Sequence, residues 1–256
     1  MKKKIRYILI LILSKIFSIK SFRKIAFASL FNTDADEMNI NGEEFIIKRI
    51  INYGIKDFID VGANCGKWTK LVIKNSNNFN SMSLYEPNKL YNSQLNRISN
   101  QTNKIKFYPF AISGNNNFVN FKENGVFSTI DKSALLKVKS INYKTLLTNH
   151  KSKLNYFIKI DTEGSDLIIL EQFFKSKLHE DSFFQIEFGE AQKLKNITLK
   201  DYQKFLPNHL CFVISKNKLL PLSIIDLYDF CTPLLNIFFI PGSKKSFLKS
   251  YDIDNK

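Results

Sequence analysis

An α/β fold with a mainly parallel sheet and helices on both faces is the class this sequence predicts, and three observations predict it. Strand-length apolar runs alternate with helix-length segments from residue 57 onward. The first run, Asp57-Phe58-Ile59-Asp60-Val61, passes straight into a glycine turn, Gly62-Ala63-Asn64-Cys65-Gly66. The strongest runs, such as Phe157-Ile158-Lys159-Ile160, are almost continuously apolar, as suits a central parallel strand covered on both faces.

The elements follow in order. Phe45, Ile46, Ile47, Ile50 and Ile51 make residues 43–53 a short amphipathic helix. Strands are expected at 57–61, 81–86 and 104–110, with helices at 67–74 and, after Pro87, at 88–98. Turn residues Asn115, Asn116, Asn117 and Gly125 separate short strands near 118–122, 126–130 and 138–142. A strong strand at 154–160 ends at Asp161, and Gly164 turns the chain into a helix over 164–174. A strand at 183–188, a helix at 198–206 and strands at 211–215 and 235–241 complete the order, with a polar tail after Gly242. The polar stretch 31–42 marks a boundary, so the chain divides into a basic segment, 1–42, and one domain, 43–256.

The chain has 256 residues, 44% of them hydrophobic and 24% charged, enough for one large core. Cys65, Cys211 and Cys231 form no C-x-x-C pair and are read as reduced thiols in a cytoplasm. The net charge is +15, but residues 1–24 supply eight of those charges and no acid. The remaining lysines are scattered, which disfavours a nucleic-acid partner. The apolar run 7–13 is too short to cross roughly 30 Å of hydrocarbon as a helix. Lys15, Lys20, Arg23 and Lys24 follow it before Ala26-Phe27-Ala28, which argues against a cleaved export signal. Ile5, Leu9, Ile12, Ile16 and Ile19 recur at helical spacing. Residues 1–24 therefore read either as a basic amphipathic helix on an anionic membrane surface or as a helix packed on the domain.

Two constellations carry chemistry. The first is the Asp60–Gly66 turn with Glu86, 26 residues after Asp60, at the end of the second strand. A carboxylate there can accept both ribose hydroxyls. Only Gly62 and Gly66 stand where a dinucleotide fingerprint has three glycines, which favours a nucleoside ligand without pyrophosphate, such as S-adenosylmethionine. The second is Asp161-Thr162-Glu163-Gly164 with Glu187, all at strand ends. Such an acidic rim can hold a ribose, take a proton from a hydroxyl, or bind Mg²⁺ through carboxylate oxygens. One of Asp161 and Glu163 is expected to cap the next helix. His150, His179 and His209 show no metal spacing and read as surface or loop residues.

Ile-Asp-Val-Gly-Ala-Asn-x-Gly, Tyr-Glu-Pro-Asn, Ala-Ile-Ser-Gly, Ile-Lys-Ile-Asp-Thr-Glu-Gly and Gln-Ile-Glu, in this order, resemble the FkbM-type S-adenosylmethionine-dependent methyltransferases over about residues 45–240. The resemblance implies the Rossmann-like, seven-stranded class I methyltransferase sheet with one antiparallel strand, and O-methylation of a hydroxyl, often on a sugar. It implies that Asp60, Gly62, Asn64 and Gly66 surround the methionine part of S-adenosylmethionine and that Glu86 binds the ribose. Phe110 and Ala111 would lie by the adenine with Ser113 near them, and Asp161 and Glu163 would face the methyl-transfer centre. Glu187 stands where some related O-methyltransferases hold a metal ligand, so Mg²⁺ is a candidate. Where the family often shows a Leu-Asp pair, this chain has Tyr143-Lys144-Thr145-Leu146-Leu147.

The expected activity is methylation of a small-molecule or glycan acceptor, with Asp161 the first choice among the acids to take the hydroxyl proton, and with the enzyme cytoplasmic and peripheral on the inner membrane face. Two rivals stay open. A nicotinamide-dependent oxidoreductase would need the full glycine fingerprint and a Tyr-x-x-x-Lys pair, and both are missing. A non-catalytic membrane-associated binding protein would be expected to carry damaged cofactor motifs, and these are intact.

Overall fold

The computed structural model describes residues 38, 41–76, 78–125, 128–150, 155–221 and 234–249. The expectations for residues 1–24 and for Cys231 lie outside these. Among the described residues no helix is long and apolar enough to cross a membrane.

The chain begins with α1 (Glu43–Asn52), β1 (Asp57–Val61), α2 (Lys67–Asn75), β2 (Ser81–Tyr85), α3 (Asn92–Ser99) and β3 (Ile105–Tyr108). Four short strands follow: β4 (Ala111–Ile112), β5 (Phe118–Lys122), β6 (Thr129–Ile130) and β7 (Leu136–Ile141). Then come α4 (Tyr143–Asn149), β8 (Tyr156–Ile160), α5 (Asp166–Lys175), β9 (Phe183–Phe188), α6 (Glu190–Leu194) and α7 (Leu199–Gln203). The last elements are β10 (His209–Ser215), β11 (Lys218–Pro221), β12 (Leu235–Pro241) and α8 (Ser246–Lys249).

The main sheet runs β11-β10-β12-β9-β8-β1-β2-β3. Strands β3, β2, β1, β8 and β9 are parallel neighbours, whereas β12 runs against both β9 and β10. This is the expected α/β class with one more strand than the seven anticipated. The extra strand, β11, hairpins back on β10, so two strands run against the rest. Residues 104–110 also do not stay in one strand. The chain leaves the main sheet after Tyr108, and β4 joins a second sheet of order β4-β7-β5-β6. The segment after Gly242 is not a free polar tail, since Phe247 on α8 is 1% exposed and packs among Phe183 and Phe238.

Side chains alternate across each strand and so divide the core into two layers. Phe58, Phe157, Phe183 and Phe238 face Ile46, Ile47 and Ile50 of α1, Trp68 and Val72 of α2, and Leu95 and Ile98 of α3. On the other face Ile158, Ile160, Phe184, Ile186 and Phe239 meet Leu146 of α4, Ile169, Leu170 and Phe173 of α5, and Tyr202 of α7. Helices thus cover both faces, as parallel strands require.

The first layer turns polar toward the carboxyl ends of the strands. Register sets Asp60 beside Lys159, and Lys159 beside Gln185. Gln185 Nε2 donates to Glu43 Oε1 at the start of α1 and to Asn236 Oδ1 on β12. Glu43 and Glu44 in the first turn of α1 also suit the positive end of its dipole.

The three histidines are buried and are not surface residues. Tyr85 Oη and His150 Nε2 are 2.8 Å apart, and His209 Nε2 donates to the Ser182 carbonyl. Burial, with Lys106 nearby, pulls the His150 pKa down to about 4, so it stays neutral inside the fold.

Candidate active site

The carboxyl ends of β1, β2, β8 and β9 open onto one cavity of about 860 Å³. Ligands of parallel α/β sheets lie at this edge. Gly62, Asn64, Glu86, Phe110, Ala111, Asp161 and Glu163 all line the cavity, together with Glu187. Asp60 and Gly66 do not line it. Asp60 is 0% exposed, and its Oδ2 accepts a 2.6 Å bond from Thr69 Oγ1 behind the wall. Ser113 is turned away and donates to the Asn115 carbonyl, and none of Tyr143 to Leu147 reaches the cavity.

The glycine turn is bonded to the second strand. The amides of Gly62 and Ala63 donate to the Tyr85 carbonyl. Asn64 sits at φ 49° and donates its amide to Glu86 Oε2, while the Asn88 amide donates to Glu86 Oε1. Each Glu86 oxygen keeps one lone pair for a ligand hydroxyl. Burial pushes the Glu86 pKa up to about 7 against the pull of these two amides.

At the other end of the cavity stand three carboxylates. Asp161, Glu163 and Glu187 each offer an oxygen within 4.8 Å of the others. Lys159 reaches from β8 to place its ammonium 2.7 Å from Asp161 Oδ2. Burial alone lowers the pKa of such a lysine, but Asp161, Asp60 and Glu43 outweigh it and hold Lys159 charged. Burial likewise opposes the charge on Asp161, and Lys159 more than offsets it, keeping the Asp161 pKa below the usual carboxylate range. Glu187 is driven the opposite way: burial, the Asp161 charge and its contact with the Asp161 carboxylate push its pKa well above the usual carboxylate range. Burial, Asp161 and Asp166 raise Glu163 to about 7.

The loop carrying these acids is held from below. Asp166 is 0% exposed, accepts from both the amide and the hydroxyl of Thr162, and accepts from Gln192 Nε2 at 2.6 Å. Neither Asp161 nor Glu163 caps α5. The cap position is Ser165, without a side-chain cap bond, and Asp166 is the acid in the first turn. Glu163 itself is held at φ 52°, so its side chain is aimed by a backbone conformation uncommon for a non-glycine residue.

The second sheet supplies a further wall through Phe121, Ser128, Thr129 and Ile130. Asn88 Nδ2 donates to Ser128 Oγ, and Thr129 Oγ1 lies 3.0 Å from Ser165 Oγ, so this wall is tied to both motif loops. Sequence reasoning did not find Thr129, Ile130, Gln192 or Lys195. Only Asp166 left a trace: it lies on the helical face of Ile169, Leu170 and Phe173, where an acid has to be buried.

No curated protein matches the chain. Among solved structures it is similar to a methyltransferase FkbM from Methylobacillus flagellatus, at 14% identity and a TM-score of 0.45, over 72% of this chain and 43% of that one. This chain therefore spans less than half the length of that protein. It is also similar to a precorrin-6y C5,15-methyltransferase from Geobacter metallireducens, at 10% identity and a TM-score of 0.41, over 73% of this chain and 80% of that one. A spermidine synthase from Thermotoga maritima is similar at 12% identity and a TM-score of 0.45, over 85% of this chain and 66% of that one. The family model for a methyltransferase FkbM domain matches residues 60–209, which hold both motif loops and β8 and β9, and on that match the chain belongs to the FkbM methyltransferase family.

Proposed function

We propose that this protein is an S-adenosylmethionine-dependent O-methyltransferase. One observation carries the reading: a single cavity joins Glu86 and the glycine turn at one end to Asp161, Glu163 and Glu187 at the other. Its volume is in the range of small-molecule sites. Glu86 binds the two ribose hydroxyls with its free lone pairs, Gly62 and Asn64 border the methionine part, and Phe110 and Ala111 border the adenine.

S-adenosylmethionine supplies an electrophilic methyl group together with its own leaving group. The protein has to align the acceptor oxygen with that methyl and remove the hydroxyl proton. Glu163 is the base in this reading, and not Asp161. Asp161 already has one oxygen on the Lys159 ammonium, which holds its pKa low and makes it a weak base, whereas Glu163 has a pKa close to neutrality, where a general base works best. Asp161 orients the hydroxyl. A second reading rests on the 4.8 Å spacing: the three carboxylates are hard oxygen donors of the kind Mg²⁺ takes, and a cation there would lower the hydroxyl pKa. Loss of turnover with EDTA and its return with MgCl₂ would favour that reading.

The acceptor is a hydroxyl of a sugar in a surface glycan or in its lipid-linked or nucleotide-linked precursor. Family membership supports this, as does a basic segment, 1–24, suited to hold a cytoplasmic enzyme at an anionic inner membrane face. Calorimetric titration with S-adenosylhomocysteine tests the cofactor site. Micromolar binding that is lost in Glu86→Ala, with both proteins folded by circular dichroism, is expected. No binding by the folded wild-type protein would overturn the assignment.

A further inference from the structure

The second sheet has two unlike faces. Val119, Phe121 and Val138 point inward and form a small core with Ala111 and Ile130. By strand alternation Phe118, Asn120 and Lys122 of β5, and Lys137 and Lys139 of β7, point the other way. Phe118 stands opposite Lys139, and Asn120 opposite Lys137. Asn120 Nδ2 donates to the Lys132 carbonyl, which draws the 131–135 loop against this outer face. Leu135 on that loop is 96% exposed and Phe118 is 54% exposed. Among the described residues, Lys122, Lys132, Lys137 and Lys139 are in none of the ion pairs. The nearby acids are Glu123 and Asp131; Asp131 accepts from the amide and hydroxyl of Ser133, and its charge also acts on Lys122, so the face stays net positive with these acids beside it.

We infer that this outer face is a docking surface for an anionic lipid bilayer. A soluble face gains nothing from a half-exposed phenylalanine and a fully exposed leucine set among lysines that form no close ion pair among the described residues. At a bilayer both are used: the lysines meet anionic headgroups and the apolar pair enters the interface. The face also lies back to back with Phe121 and Ile130 of the cavity wall, so docking holds the cavity at the membrane. The surface belongs to the folded domain and is separate from residues 1–24. It does not depend on the methyltransferase reading, since vesicle binding and S-adenosylhomocysteine binding are measured independently.

The test is co-sedimentation of the full chain with phosphatidylcholine vesicles, with and without phosphatidylglycerol. Lys122→Glu/Lys132→Glu/Lys137→Glu is compared with wild type. Lys139 is left in place because it lies over the Phe110 ring. Each lysine is worth about fivefold in partition, so losing three weakens binding to anionic vesicles about a hundredfold, and the reversal to glutamate is expected to take the loss beyond that at unchanged melting temperature. Phe118→Ser/Leu135→Ser is expected to weaken binding without altering its salt dependence. A variant with Lys2, Lys3, Lys4 and Arg6 changed to Ser is expected to keep the part of the binding that the triple variant loses. Wild-type partition by the folded triple variant would overturn the proposal and assign attachment to the N-terminal segment. A wild-type chain that ignores the vesicles but sediments with duplex DNA would overturn it in favour of nucleic acid.

Discussion

A side-chain carbon on Gly62 would lie 1.8 Å from the carbonyl oxygen of Asp161, closer than any real contact allows. The two motifs, a hundred residues apart in the chain, are therefore pressed backbone to backbone at the floor of the cavity, and the Asp161 amide donates to Val61 beside them. Gly62 also sits at φ 78°, where only glycine is unstrained. Gly62→Ala is expected to cost about 3 kcal/mol or more in urea unfolding. Gly54→Ala is the control: it has a similar φ of 97° but nothing within 4 Å, and is expected to cost about 1–2 kcal/mol. Equal losses in the two variants would show that the close approach is not the cause.

Lys159 is buried with its charge on Asp161, and removing one partner strands the other. Lys159→Met is expected to lose about 3 kcal/mol at pH 7.5. The Asp161 pKa is depressed in the folded protein, so the stability it contributes is present above the ordinary carboxylate range and lost as pH falls through the folded value. The deficit of the variant should therefore shrink in acid, and Lys159→Met/Asp161→Asn should recover part of it at pH 7.5. A deficit independent of pH would point to lost packing instead.

Glu163 has the opposite sign. Its pKa is raised from 4.5 to about 7, so between those values the folded protein holds a proton that the unfolded chain has released. Its favourable contribution is complete below 4.5 and is lost as pH rises through 7. Glu163→Gln keeps the neutral form and is expected to add about 1 kcal/mol at pH 8, allowing for partial exposure, and nothing at pH 4. That corresponds to about 2–4 °C in melts recorded with EDTA. The same variant should abolish methyl transfer if Glu163 is the base.

Asp166 anchors the acidic loop through Thr162 and Gln192. Asp166→Ala is expected to cost about 2–4 kcal/mol and to weaken S-adenosylhomocysteine binding about tenfold, read by calorimetry. Glu171→Ala on the same helix breaks only an exposed pair with Lys175 and should cost less than about 0.5 kcal/mol.

Much of this molecule was legible in its sequence because local patterns carry it. The apolar runs located β1, β2, β8 and β9, since a strand buried on both faces leaves few alternatives. Gly62, Glu86 and Asp161 stood at strand ends, and a parallel sheet puts all such ends on one edge. What local pattern does not encode is which side chains turn into the space between strands and which turn behind it. Asp60 and Glu86 were both expected at the ligand, yet β1 aims Asp60 into the polar layer with Thr69 and Lys159, and β2 ends so that Glu86 lines the cavity. The proton balance among Asp161, Glu163 and Glu187 likewise depends on burial and on Lys159, quantities set only when β8 and β9 lie side by side. The short strands of the hairpin wall were expected from the sequence, but their separate sheet and their place on the cavity were not, and β11 was missed, because those placements come from pairing with distant chain. The sequence by itself determined the class of sheet and the edge on which chemistry can occur. Tertiary packing alone decided which acids line the cavity and which way their pKa values move, because desolvation and charge proximity are properties of neighbours in space.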